Sequence, residues 1–132
     1  MYEYSFEKLE VWKLSRQLVK NIYELTTTFP VEEKFGLISQ LRRSSVSISS
    51  NLAEGSSRKS LKEQAHFTQI AYGSLMEILN QLILSVDLGF MTNKMLDGIR
   101  PNIEEIGNKL NSFRNYQLKK QISKKADQQI NK

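Results

Sequence analysis

The sequence contains no cysteine, which excludes a disulfide framework, a thiolate metal site and a thiol nucleophile, and fits a reducing compartment. Proline and glycine are also scarce, at two and six of 132 residues. So few turn residues argue for long helices joined by short connections. No apolar stretch approaches the roughly 20 residues needed to cross a membrane, and the opening Met1-Tyr2-Glu3-Tyr4-Ser5 lacks a basic segment followed by an apolar one. A soluble, cytoplasmic protein with no membrane partner is the expectation. What is present is enough for one core, because 39% of the residues are apolar and a chain of this length buries about two-thirds of its unfolded surface. The formal charge of +5 points to an anionic partner, and its position along the chain decides how strongly.

Apolar spacing predicts four helices and no strand. Val11, Leu14, Leu18, Ile22, Leu25 and Phe29 follow at intervals of 3, 4, 4, 3 and 4, one face of a helix from Phe6 to Phe29 that Pro30 closes. Pro30, Glu32 and Glu33 suit the first turn of a second helix reaching about Gly55, with a core line of Leu37 or Ile38, Leu41, Ser45, Ile48 and Leu52. Ser60 and Glu63 form a capping box that opens a third helix to about Leu88. Its line Tyr72, Met76, Leu79, Ile83, Val86 and Phe90 is widened by Leu75, Ile78, Leu82 and Leu84, an apolar excess that needs a second burial partner. After Gly89, Thr92 is a fair N-cap for a fourth helix through Ile99, Ile103, Ile106, Leu110 and Phe113, with a kink near Asp97 to Gly98 or a restart expected at Pro101. Residues 118–132 read as a basic tail, a frayed helix or a disordered arm. The fold class is therefore all-α, with residues 1–117 an up-down-up-down four-helix bundle.

The chain offers little catalytic chemistry. Glu63 and His66 make one Glu-x-x-His pair, but the di-iron carboxylate class needs two and the sequence has one histidine. Ser56-Ser57-Arg58-Lys59 matches Ser-x-x-Lys without the companion elements of that catalytic class. Nucleotide-binding glycine loops, a zinc-protease helix and a nucleophile elbow are absent from the sequence. The expectation is a non-enzyme with no cofactor and no metal.

The most informative segment runs from Gln40 to Arg58. Gln40, Arg43, Ser47, Asn51 and Glu54 fall within an arc of about 80° beside the apolar line through Leu41, Ile48 and Leu52. In one reading this stripe is a polar seam against another helix or subunit, with Arg43 and Glu54 pairing elsewhere, since they stand about 16 Å apart on their own helix. In the other, Arg42, Arg43, Arg58, Lys59 and Lys62 face a phosphate backbone. Arg43 and Glu54 fit the seam better; the other basic residues stay open.

These residues carry a resemblance. Phe6, Leu9, Val11 and Trp12, Phe29-Pro30 with Glu33, Gln40-Leu41-Arg42-Arg43, Ser47-Ile48, Asn51-Leu52-Ala53-Glu54-Gly55 with Arg58, and then Ala71, Ser74, Glu77 and Leu88-Gly89-Phe90 resemble the small proteins encoded by intervening sequences in bacterial 23S ribosomal RNA genes. Those in turn look like the accessory variability proteins of diversity-generating retroelements. The resemblance covers about Phe6 to Gln117, with Ser49 and Ser50 standing where Pro or Ala is usual. It implies a four-helix bundle assembled as a homopentameric ring, a binding or scaffolding role and no known catalytic activity. In the retroelement relatives a basic ring surface is linked to nucleic acid and to a reverse transcriptase.

The leading functional expectation is accordingly a homo-oligomer that binds nucleic acid, RNA above DNA. Candidate contacts are Arg42, Arg58, Lys59 and Lys62 on the bundle and Lys119, Lys120, Lys124 and Lys125 in the tail. The alternative is a scaffold for a partner protein such as a reverse transcriptase. Residues 118–132 hold five Lys and one Asp, which leaves 14 Lys and Arg against 13 Asp and Glu in residues 1–117. The bundle is thus nearly neutral, and the basic character belongs to the tail, where a solubilising role would look the same. In a ring of five, the tails would bring +20 together.

Overall fold

The turn at Phe29-Pro30 shows how the local chemistry sets the helix ends. The computed structural model describes residues 1–130, and among them every regular element is helical. Helix α1 spans Glu10–Thr26, shorter than the spacing suggests at both ends. At its start, Ser5–Lys8 forms a 3-10 turn and Leu9 is extended. At its finish three threonines terminate it. Thr26, Thr27 and Thr28 donate their hydroxyls to the carbonyls of Ile22, Glu24 and Leu25 at 2.8, 2.6 and 2.8 Å. The N–H groups of Thr27 and Thr28 close on the same Glu24 and Leu25 carbonyls three residues back, local bonds that compete with a further helical turn.

Val31–Glu33 is a separate 3-10 turn, and α2 spans Leu37–Ser56. Pro30 and the glutamates therefore sit before the helix, where Glu33 Oε2 accepts the Leu37 N–H at 3.0 Å. Helix α3 spans Leu61–Asp87; Ser60 Oγ accepts the Glu63 N–H at 3.0 Å. Gly89, with φ of +81°, is the one described residue in the left-handed region. It lets Phe90 N–H reach Ser85 O at 2.9 Å and Gly89 N–H reach Val86 O at 3.0 Å, the double closure that such a glycine permits.

Helix α4 spans Asn93–Ile130 and runs without interruption through Pro101. The expected restart does not occur. Asp97, Gly98 and Pro101 all face solvent, so water can serve the Asp97 carbonyl that the proline leaves without its N–H partner.

Neighbouring helices are antiparallel. Helix α3 packs extensively against α2 and α4, α1 lies against α2, the α1–α4 contact is the slightest, and α1 and α3 are diagonal. Leu18 and Ile22, Leu41 and Ile48, Leu75, Ile78 and Leu82, and Ile103, Ile106 and Leu110 meet on the axis, each almost fully buried. Each such side chain contributes about 1.5 to 3 kcal/mol. On α3 the sequence line needs correction. Its buried centre lies at Leu75, Ile78 and Leu82, whereas Met76 and Ile83 are 37% and 38% exposed and Leu84 is 42% exposed. A stripe that is apolar around most of the helix does not fix its own rotation, and the packing of α2 and α4 decides it.

The two ends of the bundle differ. At the upper end Phe29 and Phe90 meet with ring centroids 5.8 Å apart, joining the α1–α2 and α3–α4 connections. The lower end gathers the N-terminus, the α2–α3 turn and the last turns of α4. There Thr68 donates to Gln117 Oε1 at 2.8 Å, a bond between buried side chains that fixes the register of α4 on α3. Leu61 lies seven residues before Thr68, so it falls level with Lys124, about 10 Å from that bond along antiparallel helices. Residues 118–130 thus continue α4 along the start of α3; Asn131 and Lys132 lie outside the described residues.

Candidate nucleic-acid interface

Three lysines from two parts of the chain line one groove. Lys59 comes from the α2–α3 turn, and Lys120 and Lys124 come from α4; Leu61, Gln64, Ser123 and Asp127 complete the lining. The turn is held in place by two local features. Gln64 Nε2 donates to Arg58 O at 2.8 Å, tying the turn to the first coil of α3. Gly55 packs against Phe67 so closely that a Cβ there would stand 2.8 Å from Phe67 Cβ, so only glycine allows this approach without displacement. On α4, Lys120 and Lys124 are one turn apart, and the Thr68–Gln117 bond one turn before Lys120 anchors them.

Lys62 on α3 and Lys119 and Lys125 on α4 are exposed but do not line the groove. Among the described residues four ion pairs form, and none uses Lys59, Lys62, Lys119, Lys120, Lys124 or Lys125. Asp127 is the acidic group in the groove lining. Close, unpaired ammonium groups repel one another, and a polyanion laid between them relieves that repulsion.

The two remaining basic candidates are otherwise engaged. Arg58 pairs with Glu54 at 2.7 Å and covers the Phe67 ring at 4.8 Å. Arg42 stands toward the upper end, away from the groove. Its Nε donates to Thr26 Oγ1 at 2.9 Å and its guanidinium lies 4.5 Å from the Tyr23 ring centroid, so it clasps α1 to α2.

The polar stripe runs along the α2–α3 contact. Arg43 donates to Gln40 Oε1 at 2.8 Å and to Glu77 Oε2 at 3.4 Å, and Ser44 donates to the same Glu77 oxygen at 3.2 Å. Ser47 Oγ meets Ser74 Oγ at 2.9 Å, and Asn51 Nδ2 donates to Ser47 O at 2.8 Å. Small hydroxyl side chains on both helices allow the close approach, and a buried hydroxyl such as Ser45 is satisfied by its own helix, at Arg42 O. Gln40, Arg43 and Glu54 are exposed, and Glu54 is held by Arg58 rather than by another helix.

The serines of the Ser-x-x-Lys motif serve the fold. Ser56 and Ser57 donate to the carbonyls of Ala53 and Glu54, both at 2.6 Å, which closes α2. His66 is exposed and lies edge-on to Phe67. Gln64, Ser123 and Tyr116 were not singled out by the sequence. The signal that would have found the last two is the repeat of Tyr116, Lys120, Ser123 and Asp127 at 4, 3 and 4, one helical face once the tail is helix.

The family match follows the bundle and ends before the groove's second wall. Residues 7–112 match the 23S rRNA-intervening sequence protein family. The fold is shared with a solved protein of unknown function from the S23 ribosomal protein family of Bacteroides thetaiotaomicron, at a TM-score of 0.73 and 24% identity over 80% of this chain and 95% of that one. No curated protein matches the chain.

Proposed function

We propose that this chain, which belongs to the 23S rRNA-intervening sequence protein family, is a non-enzymatic cytoplasmic protein that self-associates and binds nucleic acid, RNA above DNA, at the lower end of its bundle. The observation that carries the reading is the groove shared by Lys59, Lys120 and Lys124, in which no lysine has an ion-pair partner among the described residues. Phosphate contact of this kind is indifferent to sequence and sensitive to salt, each neutralised phosphate adding roughly 0.7 to 0.9 to the log-log slope.

Self-association is supported by the outward apolar residues of α3, Ile70, Met76, Ile83 and Leu84. A patch of this kind on one helix is usually covered by another protein surface. The ring of five copies that the family resemblance implies would cover it with further copies and would bring several cationic grooves together. The same residues favour a second reading, a scaffold that docks a different protein such as a reverse transcriptase.

The two readings separate in one measurement. Full-length protein titrated with a structured RNA is expected to bind with an affinity that falls steeply with salt, and a truncation ending at Gln117 to lose most of that binding, because it removes one wall of the groove. No binding at low salt, or equal binding by the truncation, would sink the proposal and leave the scaffold.

A further inference from the structure

An exposed aromatic ring stands beside the cationic groove. Tyr116 is 57% exposed, and Lys120, which lines the groove, places its Nζ 5.8 Å from the ring centroid. The ring is carried on a firm support, because the next residue, Gln117, is buried and bonded to Thr68. Arg42 covers Tyr23, Arg58 covers Phe67, and Tyr2, Tyr4, Phe6 and Trp12 lie against one another in succession. Phe35 is also exposed with Lys34 near its ring, but it lies at the other end of the bundle, away from the groove.

We infer that the groove takes a nucleic-acid segment with unpaired bases, one base stacking on Tyr116 while the neighbouring phosphates lie against Lys120, Lys124 and Lys59. This rests on the reading of the groove as a phosphate site and adds what kind of strand it holds. A duplex keeps its bases stacked on one another and offers the ring nothing. An unpaired base has a free face, and stacking on an aromatic side chain is tolerant of base identity. Along α4, the ring, Lys120 and Lys124 rise by about 6 Å per step, so a strand running parallel to the helix meets them in order, base first and phosphates after. The ammonium of Lys120 near the ring is the group that a stacked base would displace toward its own phosphate, so ring and lysine act on one nucleotide.

Full-length protein and its Tyr116→Ala, Tyr116→Leu and Tyr116→Phe variants are titrated with an oligouridine of about 16 nucleotides and with an RNA duplex of the same length, at low and at moderate salt. Wild type is expected to bind the single strand more tightly. The Ala and Leu variants are expected to weaken that binding by about fivefold to a hundredfold with an unchanged salt slope, to leave duplex binding as it was, and the Phe variant to retain wild-type affinity. Leucine keeps the bulk of the side chain, so a loss in both variants with unchanged helical circular dichroism reports the ring itself. Equal affinity of the Ala variant and wild type for the oligouridine, or equal losses on both probes, overturns the inference while the groove stands. Wild-type protein that binds neither probe at low salt overturns the groove as well.

Discussion

Neutralising Lys59, Lys120 and Lys124 together with glutamine is expected to lower the salt slope of RNA binding by about 2 to 3, because each lost phosphate contact removes roughly 0.7 to 0.9. Affinity at low salt falls with it, uniformly across RNA sequences. The three side chains line the groove from two parts of the chain, and none carries a hydrogen bond or ion pair of the fold, so melting temperature stays close to that of the parent. Arg42→Gln is the control. It removes one positive charge, as Lys120→Gln does alone, but toward the upper end, where the guanidinium clasps Thr26 and Tyr23, so it costs stability and leaves the slope unchanged. A slope that drops as far for Arg42→Gln as for Lys120→Gln alone would mean that RNA responds to total charge and that the groove is not its site.

The second large effect concerns α3. Ile78→Ala is expected to cost about 2 to 5 kcal/mol by chemical denaturation, since Ile78 is fully buried and its truncation leaves a cavity that the bundle cannot close. Met76→Lys combined with Ile83→Lys is expected to act differently on the same helix. Both residues face outward, so helical content persists, and under the proposed self-association the sedimenting mass falls toward that of one chain. Loss of helical content in that double variant would place Met76 and Ile83 in the core after all.

The contrast between these variants also marks where the sequence could be read. Helices α1 and α4 carry narrow apolar stripes, and Val11, Leu18, Ile22, Ile103, Ile106 and Leu110 are buried as their spacing predicts. Helix α3 is apolar around most of its circumference, so spacing alone could not tell Leu75 and Ile78 from Met76 and Ile83. Helical angle set Arg43 in the seam and left its neighbour Arg42 open, and the 100° between them sends Arg42 to α1 and Arg43 to Glu77 on α3. The groove was less legible still. Lys59 and Lys124 lie far apart in sequence, and only the Thr68–Gln117 register and the continuation of α4 beyond the bundle core place them together. Tyr116 was invisible for the same reason, as a lone aromatic at the edge of a polar tail.

Gathering the lysines at one end has a kinetic side. The connections at the upper end and the helix turns beside them hold Glu24, Glu32, Glu33, Asp87 and Asp97 against Lys34, Arg42 and Lys94, a net acidic end that makes the bundle an electric dipole with its positive pole toward the groove. A nearby polyanion turns such a molecule before touching it, and torque of this kind shortens the search for a productive encounter. Salt should then act chiefly on how fast complexes form, which stopped-flow association and dissociation rates at two ionic strengths would separate; a salt effect confined to dissociation would mean the dipole does not steer.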